Sequence, residues 1–134
     1  MSHTKEPRPL HDIDQCDMLA EQQIKQLEAL DDGSGSLFDE LYQLWLNTLD
    51  DGIIELQDAI SKSDLPEVET YSHRLKGSCS NIGAKKLSFV FDNIENLAEQ
   101  EKLDEALRFF ELVHEEFNAA KSALQIRFGL NRAA

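Results

Sequence analysis

The chain has 134 residues, with 26 acidic against 13 basic side chains and a formal net charge of -13. That length suffices for one domain with its own core, and a hydrophobic fraction of 41% sets the chain well apart from disordered composition. The acidic excess argues against phosphate backbones and anionic membranes as partners, the short apolar runs argue against a transmembrane helix, and two cysteines, Cys16 and Cys79, are too few for a disulfide framework and read as reduced thiols.

Residues 1–16 are polar, contain Pro7 and Pro9, and lack periodicity, so a flexible N-terminal tail is expected there. Lys5 and Arg8 are followed by Asp12, Asp14 and Asp17 with no apolar stretch, which does not read as a secretory leader, and a cytoplasmic setting is expected. A short first helix is predicted over 17–30, with Met18, Leu19, Ile24, Leu27 and Leu30 as its apolar positions. Residues 31–36 form a turn by composition, and Ser36 followed by Asp39 suggests an N-cap. A long helix over 37–60 follows, with the stripe Phe38, Leu41, Trp45, Leu49, Ile53, Leu56 and Ile60 at steps of three and four. Gly52 inside it points to a bend or to close packing.

Asp64-Leu65-Pro66-Glu67 is a strong helix start, with Asp64 as N-cap, Pro66 in the first turn and Glu67 at the capping-box spacing. This third helix runs to Ile82 and is closed by Gly83, where a left-handed residue is wanted. Its core stripe is Leu65, Val68, Leu75, Cys79 and Ile82, with Tyr71 filling the gap. A fourth helix over 84–99 carries Leu87, Val90, Phe91, Ile94, Leu97 and Ala98. A fifth, capped by Asp104 and reaching 128, carries Ala106, Phe109, Phe110, Val113, Phe117, Ala120 and Leu124. Long helices joined by short turns predict an all-α fold, an antiparallel up-down-up-down four-helix bundle over 17–128. The short first helix would cap one end, and 129–134 would form a C-terminal tail.

The third helix also holds the candidate site. His73 stands two residues before Leu75, about 200° round the helix from that core position, and so faces solvent. Along its stripe lie Glu69, Lys76, Gly77 and Ser80. An exposed histidine or a lysine three residues on is ordinary helix surface. Gly77 is less ordinary, because a mid-helix glycine costs ~1 kcal/mol against alanine; it fits a place where something must approach the backbone beside the ring. Between residues 73 and 86 there are four basic side chains (Arg74, Lys76, Lys85, Lys86) and no acidic ones, leaving 26 acidic against nine basic elsewhere. A local positive patch is therefore expected around one exposed imidazole, suited to a transient negative charge and to a partner with an acidic pocket.

The run His73-Arg74-Leu75-Lys76-Gly77-Ser78, continued by Cys79-Ser80-Asn81-Ile82 and closed by Gly83-Ala84, resembles the signature of histidine-containing phosphotransfer (HPt) domains. The family pattern, His-x-Leu-Lys-Gly-Ser, a small-residue stretch and then Gly-Ala, is matched at each of those positions. The resemblance implies that His73 accepts a phosphoryl group on Nε2 from a receiver-domain aspartyl phosphate and passes it to another receiver. It further implies that Glu95, on the fourth helix, orients the ring through Nδ1, and that Lys76 offsets phosphoryl charge. Glu69, Arg74, Gly77, Ser78, Ser80, Phe38 and Leu41 are the expected docking surface. The partners would be receiver domains of response regulators or hybrid histidine kinases. The carrier is expected to be a monomer with no cofactor of its own, Mg2+ belonging to the receiver. The chain lacks a Gly-rich Lys-Ser/Thr loop for ATP, and His3, His11, His73 and His114 show no metal-ligand spacing. The competing reading is a non-catalytic helical module that binds or inhibits a kinase or receiver. Intact His73 and Lys76 favour the carrier, since binding alone needs neither.

Overall fold

Every secondary-structure element among residues 10–129, the part that the computed structural model describes, is helical. A 3-10 turn at Leu10–Gln15 precedes α1 (Glu21–Leu30), α2 (Ser36–Ser61), α3 (Leu65–Ile82), α4 (Lys85–Glu99), α5 (Leu103–Phe110) and α6 (Val113–Phe128). No helix among these residues is long and apolar enough to cross a membrane. The expected tails at 1–9 and 130–134 lie outside the described residues. The rest of the expected N-terminal tail is not loose: Ile13 is 7% exposed and belongs to the core, so packing begins ahead of residue 17.

The bundle is built from α2, α3, α4 and the α5–α6 pair, with α3 packed between α2 and α4. Aromatic contacts close the ring from α6 back to α2. Phe128 stacks on Phe38 with centroids 4.1 Å apart, and Phe117 meets Trp45 edge-on at 5.3 Å. The predicted stripes of α4 and of α5–α6 are buried throughout, and α2 adds Tyr42 and Ala59 to its stripe. On α3 the gap is filled by Ser72, fully buried with its hydroxyl returned to the Val68 carbonyl, together with Tyr71, which is half-buried and packed against the core. The Trp45 indole N–H donates to Cys79 Sγ at 3.5 Å, and burial pushes the Cys79 thiol up to about 12. Both cysteines are free thiols.

Gly52 serves close packing. A Cβ there would stand 2.5 Å from Leu75 Cδ2, so its absence lets α2 and α3 approach. At the other end of α3, Asp64 accepts from the Glu67 N–H at 3.2 Å, and Gly83 closes the helix at φ +87°. Helix α1 covers this closing turn: the Ala20 N–H donates to the Gly83 carbonyl at 2.8 Å and Gln23 Nε2 to the Asn81 carbonyl at 2.8 Å.

Three expectations about helix ends and continuity are corrected. Ser36 does not cap α2; it is the first helical residue, after Gly35 at φ +83°. The Asp31 carboxylate organises that entry instead, accepting from the N–H groups of Gly33, Gly35 and Leu37. Asp104 does not cap α5, whose N-cap is Lys102, tied by its N–H to the Leu97 carbonyl at 2.8 Å. The predicted fifth helix is interrupted at Glu111-Leu112, where the Leu112 N–H bonds the Phe109 carbonyl three residues back.

Candidate functional site

Helix α3 places His73 near its middle, with its side chain 68% exposed. The neighbouring α4 supplies the partner. His73 Nδ1 lies 2.8 Å from Glu95 Oε2, and the glutamate side chain is only 16% exposed. An ionised carboxylate can only accept, so Nδ1 carries the proton and donates it. Nε2 is then the ring nitrogen with a lone pair to offer.

The other carboxylate oxygen is also occupied. Lys76 Nζ donates to Glu95 Oε1 at 2.7 Å and to Asp92 Oδ1 at 3.3 Å. One carboxylate thus spans the imidazole and the ammonium. Burial pulls the Lys76 pKa down, but its bonds to Glu95 and Asp92 outweigh that, and the net is raised from the ordinary lysine value. Lys76 is accordingly charged at neutral pH.

Below this group α3 is tied to α4 through hydroxyls. Ser88 Oγ donates to the Lys76 carbonyl at 3.1 Å, which leaves Ser80 Oγ to donate to Ser88 Oγ at 2.7 Å. Ser88, Asp92 and Glu95 follow one another at four and three residues, a polar seam along the α4 face that meets α3. Asp92 and Ser88 were not singled out from sequence. That spacing, a polar row running along the flank of the apolar stripe of α4, was the available signal.

The remaining candidates fall in different places. Glu69, with Pro66 and Thr70, lines a shallow open depression beside His73 and Glu95. Gly77 is exposed, with no atom within 4 Å of where a Cβ would stand, so the helix backbone is open next to the ring. Arg74 turns aside, its guanidinium 5.5 Å from the Tyr71 ring centroid. Ser78 and Leu41 line a small cleft between α3 and α2, shared with Leu44, Trp45, Asn81 and Ile82. Phe38 is almost fully covered. It is 7% exposed under Phe128, so its place in the expected docking set is corrected: it is a core residue.

The expected positive patch also needs correction. Counting along the chain missed what folds against it. Lys76 faces Glu95 and Asp92, Lys86 faces Glu116 at 3.7 Å, and Lys85 lies 3.9 Å from Asp17. Glu95 and Asp92 share the Lys76 ammonium, Glu69 lines the same depression as the ring, and the Arg74 guanidinium lies over Tyr71, so the surroundings of the imidazole are not the positive patch expected.

An exposed imidazole with one nitrogen anchored and protonated, and the other offered outward, is a nucleophile for an electrophile delivered from outside the protein. A family model described as "Hpt domain" matches residues 40–123. Histidine-containing phosphotransfer protein 1 of Oryza sativa subsp. japonica is 28% identical over 117 residues, covering 85% of this chain and 80% of that protein. A protein named pseudo histidine-containing phosphotransfer protein 5, also from Oryza sativa subsp. japonica, is 27% identical over 117 residues, covering 85% of this chain and 77% of its own. Among solved structures, a histidine-containing phosphotransfer protein from maize superimposes with a TM-score of 0.74 at 27% identity, covering 86% of each chain.

Proposed function

From the premise that this chain belongs to the Hpt domain family, we propose that it is a phosphoryl carrier, with His73 as phosphoacceptor between receiver-domain aspartates. The observation that carries this reading is the hydrogen bond from His73 Nδ1 to Glu95 on an otherwise exposed ring. The Nε2 lone pair attacks the phosphorus of the receiver's aspartyl phosphate. The N–P bond forms as the P–O bond to the aspartate breaks, its electron pair leaving on the carboxylate. The ring becomes a phosphoimidazolium that keeps its Nδ1 proton, and the Glu95 anion faces the new positive charge. The reverse sequence delivers the group to a second receiver. No proton leaves the site in either direction, so the carrier needs no general base of its own.

Gly77 supports close approach by a receiver loop, since no side chain stands between partner and ring on that side. Glu69 on one flank, and Leu41 and Ser78 on the other, would bound the docking face, with Arg74 and Ser80 between them. The same reading makes the protein a monomeric cytoplasmic carrier rather than an enzyme with a substrate of its own, the receiver bringing Mg2+ and the acidic pocket. The alternative, a helical module that only binds a kinase or receiver, is suggested by relatives named pseudo phosphotransfer proteins. It is disfavoured by the assembled His73–Glu95–Lys76 group, which a binding surface does not require.

The test is to incubate the protein with a phosphorylated receiver and map the modification by mass spectrometry under neutral-to-basic conditions. Label is expected on His73 and absent from a His73→Gln variant. Uptake by that variant would overturn the assignment.

A further inference from the structure

The ammonium of Lys76 is engaged before any phosphoryl group arrives. It bridges Glu95 and Asp92, at 2.7 and 3.3 Å, with its side chain 27% exposed and that of Asp92 20% exposed. Glu95 answers the ring through Oε2 and Lys76 through Oε1. Asp92 enters the site through Lys76. Ser88, four residues earlier on the same α4 face, is bonded to the backbone carbonyl of Lys76 itself, so α3 and α4 are tied together one turn from Asp92.

A phosphoryl group on Nε2 would bring about two further negative charges beside these two carboxylates. Lys76 is the cation nearest to hand, and turning toward the phosphoryl means leaving or sharing Asp92. The contact with Asp92 is intact in the unphosphorylated carrier and would be weakened in the phosphorylated one. An interaction that favours one of two states shifts the equilibrium between them by its difference. We infer that Asp92 is a positioning residue that holds Lys76 back from the phosphoryl group and so biases transfer off His73 and onto the receiver. The inference rests on His73 being the phosphoacceptor. In the favoured direction the Nε2–P bond breaks with its electron pair staying on Nε2, a P–O bond forms to the receiver's aspartate, and Nδ1 keeps its proton.

Asp92→Asn retains the size and a hydrogen-bond acceptor but removes the competing charge. The parent, Asp92→Asn, Asp92→Glu, Lys76→Ala and the Lys76→Ala/Asp92→Asn pair are loaded with phosphoramidate, which needs no receiver. The lifetime and the pH titration of the phosphohistidine are then followed by 31P NMR. Asp92→Asn is expected to lengthen the lifetime about two- to fivefold, the scale of one partly exposed ion pair, and to make the phosphoryl titrate at lower pH, as a nearer cation demands. Asp92→Glu is expected to restore parent behaviour, and the effect is expected to vanish where Lys76 is absent. With a receiver, the equilibrium ratio reached from both sides should move toward phosphorylated His73 by a similar factor. A merely structural role would slow both directions alike. An unchanged lifetime and ratio in Asp92→Asn, or the same change without Lys76, would overturn the inference. If the parent loads with phosphoramidate but exchanges with no receiver, the carrier reading fails, and the lifetime comparison still decides the role of Asp92.

Discussion

Gly52 and Gly77 are both mid-helix glycines, and the same substitution at each should move stability in opposite directions. An alanine Cβ at position 52 would stand 2.5 Å from Leu75 Cδ2, 3.2 Å from Cγ and 3.4 Å from Cδ1. Leu75 is 1% exposed, so it can retreat only by displacing its core neighbours. Such overpacking costs about 1–3 kcal/mol, and the gain in helix propensity offsets about 1 kcal/mol of it. Gly52→Ala should therefore destabilise by up to about 2 kcal/mol. At position 77 an added Cβ meets no atom within 4 Å, so Gly77→Ala keeps the whole propensity gain, about 1 kcal/mol. At roughly 4 °C per kcal/mol for a domain of this size, the two variants should melt about 4–12 °C apart. Thermal melting by circular dichroism, with urea unfolding to check that the m-value is unchanged, measures the gap. A Gly52→Ala variant melting as high as Gly77→Ala would refute the claim that Gly52 exists to seat Leu75.

Gly77→Gln should melt no lower than the parent yet block transfer from a receiver, while small-molecule phosphorylation of His73 survives; receiver transfer at the parent rate would show that the glycine is incidental. Glu95→Gln keeps an acceptor for Nδ1–H but removes the charge facing the phosphoimidazolium, and should slow transfer about tenfold in rapid-quench measurements, the scale of one charge-assisted hydrogen bond; an Ala variant as fast as the parent would remove Glu95 from the mechanism. Glu116 on α6 is 8% exposed with its Oε1 unpartnered, and burial raises its pKa despite Lys86. A carboxyl whose folded pKa lies above its unfolded value binds more protons folded, so stability should rise as pH falls from the raised value to the ordinary one. Glu116→Gln should flatten that rise in a melting series across mildly acidic pH, and an unaltered slope would count against it.

The parts of this fold that could be read from sequence were those fixed by local chemistry. Asp64, Pro66 and Gly83 mark the ends of α3 because caps act within one turn, and the face of His73 follows from counting to Leu75. What escaped depended on distant chain. Phe38 begins the apolar stripe read from sequence, but that it is too covered to dock a partner depends on Phe128 coming back to stack on it. The charge around His73 is set by Asp92 and Glu95 on the facing helix, which no count along residues 73–86 includes. The interruption at Glu111-Leu112 is silent because Phe109, Phe110, Val113 and Phe117 keep helical phase across it, and neither glycine nor proline marks it. Asp31 was assigned to a turn by composition, but its capping of three N–H groups is a loop geometry that composition does not specify.

The chain has a single tryptophan, and its surroundings make it a built-in optical probe. Trp45 belongs to α2, gives its indole hydrogen to Cys79 on α3, and meets Phe117 on α6 edge-on. Its emission should therefore register the meeting point of three helices, whereas far-ultraviolet dichroism registers helix content wherever it lies. Trp45 is 2% exposed, so separation of the helices should bring the indole into water and shift its emission to the red. Unfolding followed by both signals then becomes a test of cooperativity that requires no label. Because Cys79 lies on the same helix as His73, the indole also offers an optical report on whether loading the imidazole disturbs the packing beneath it.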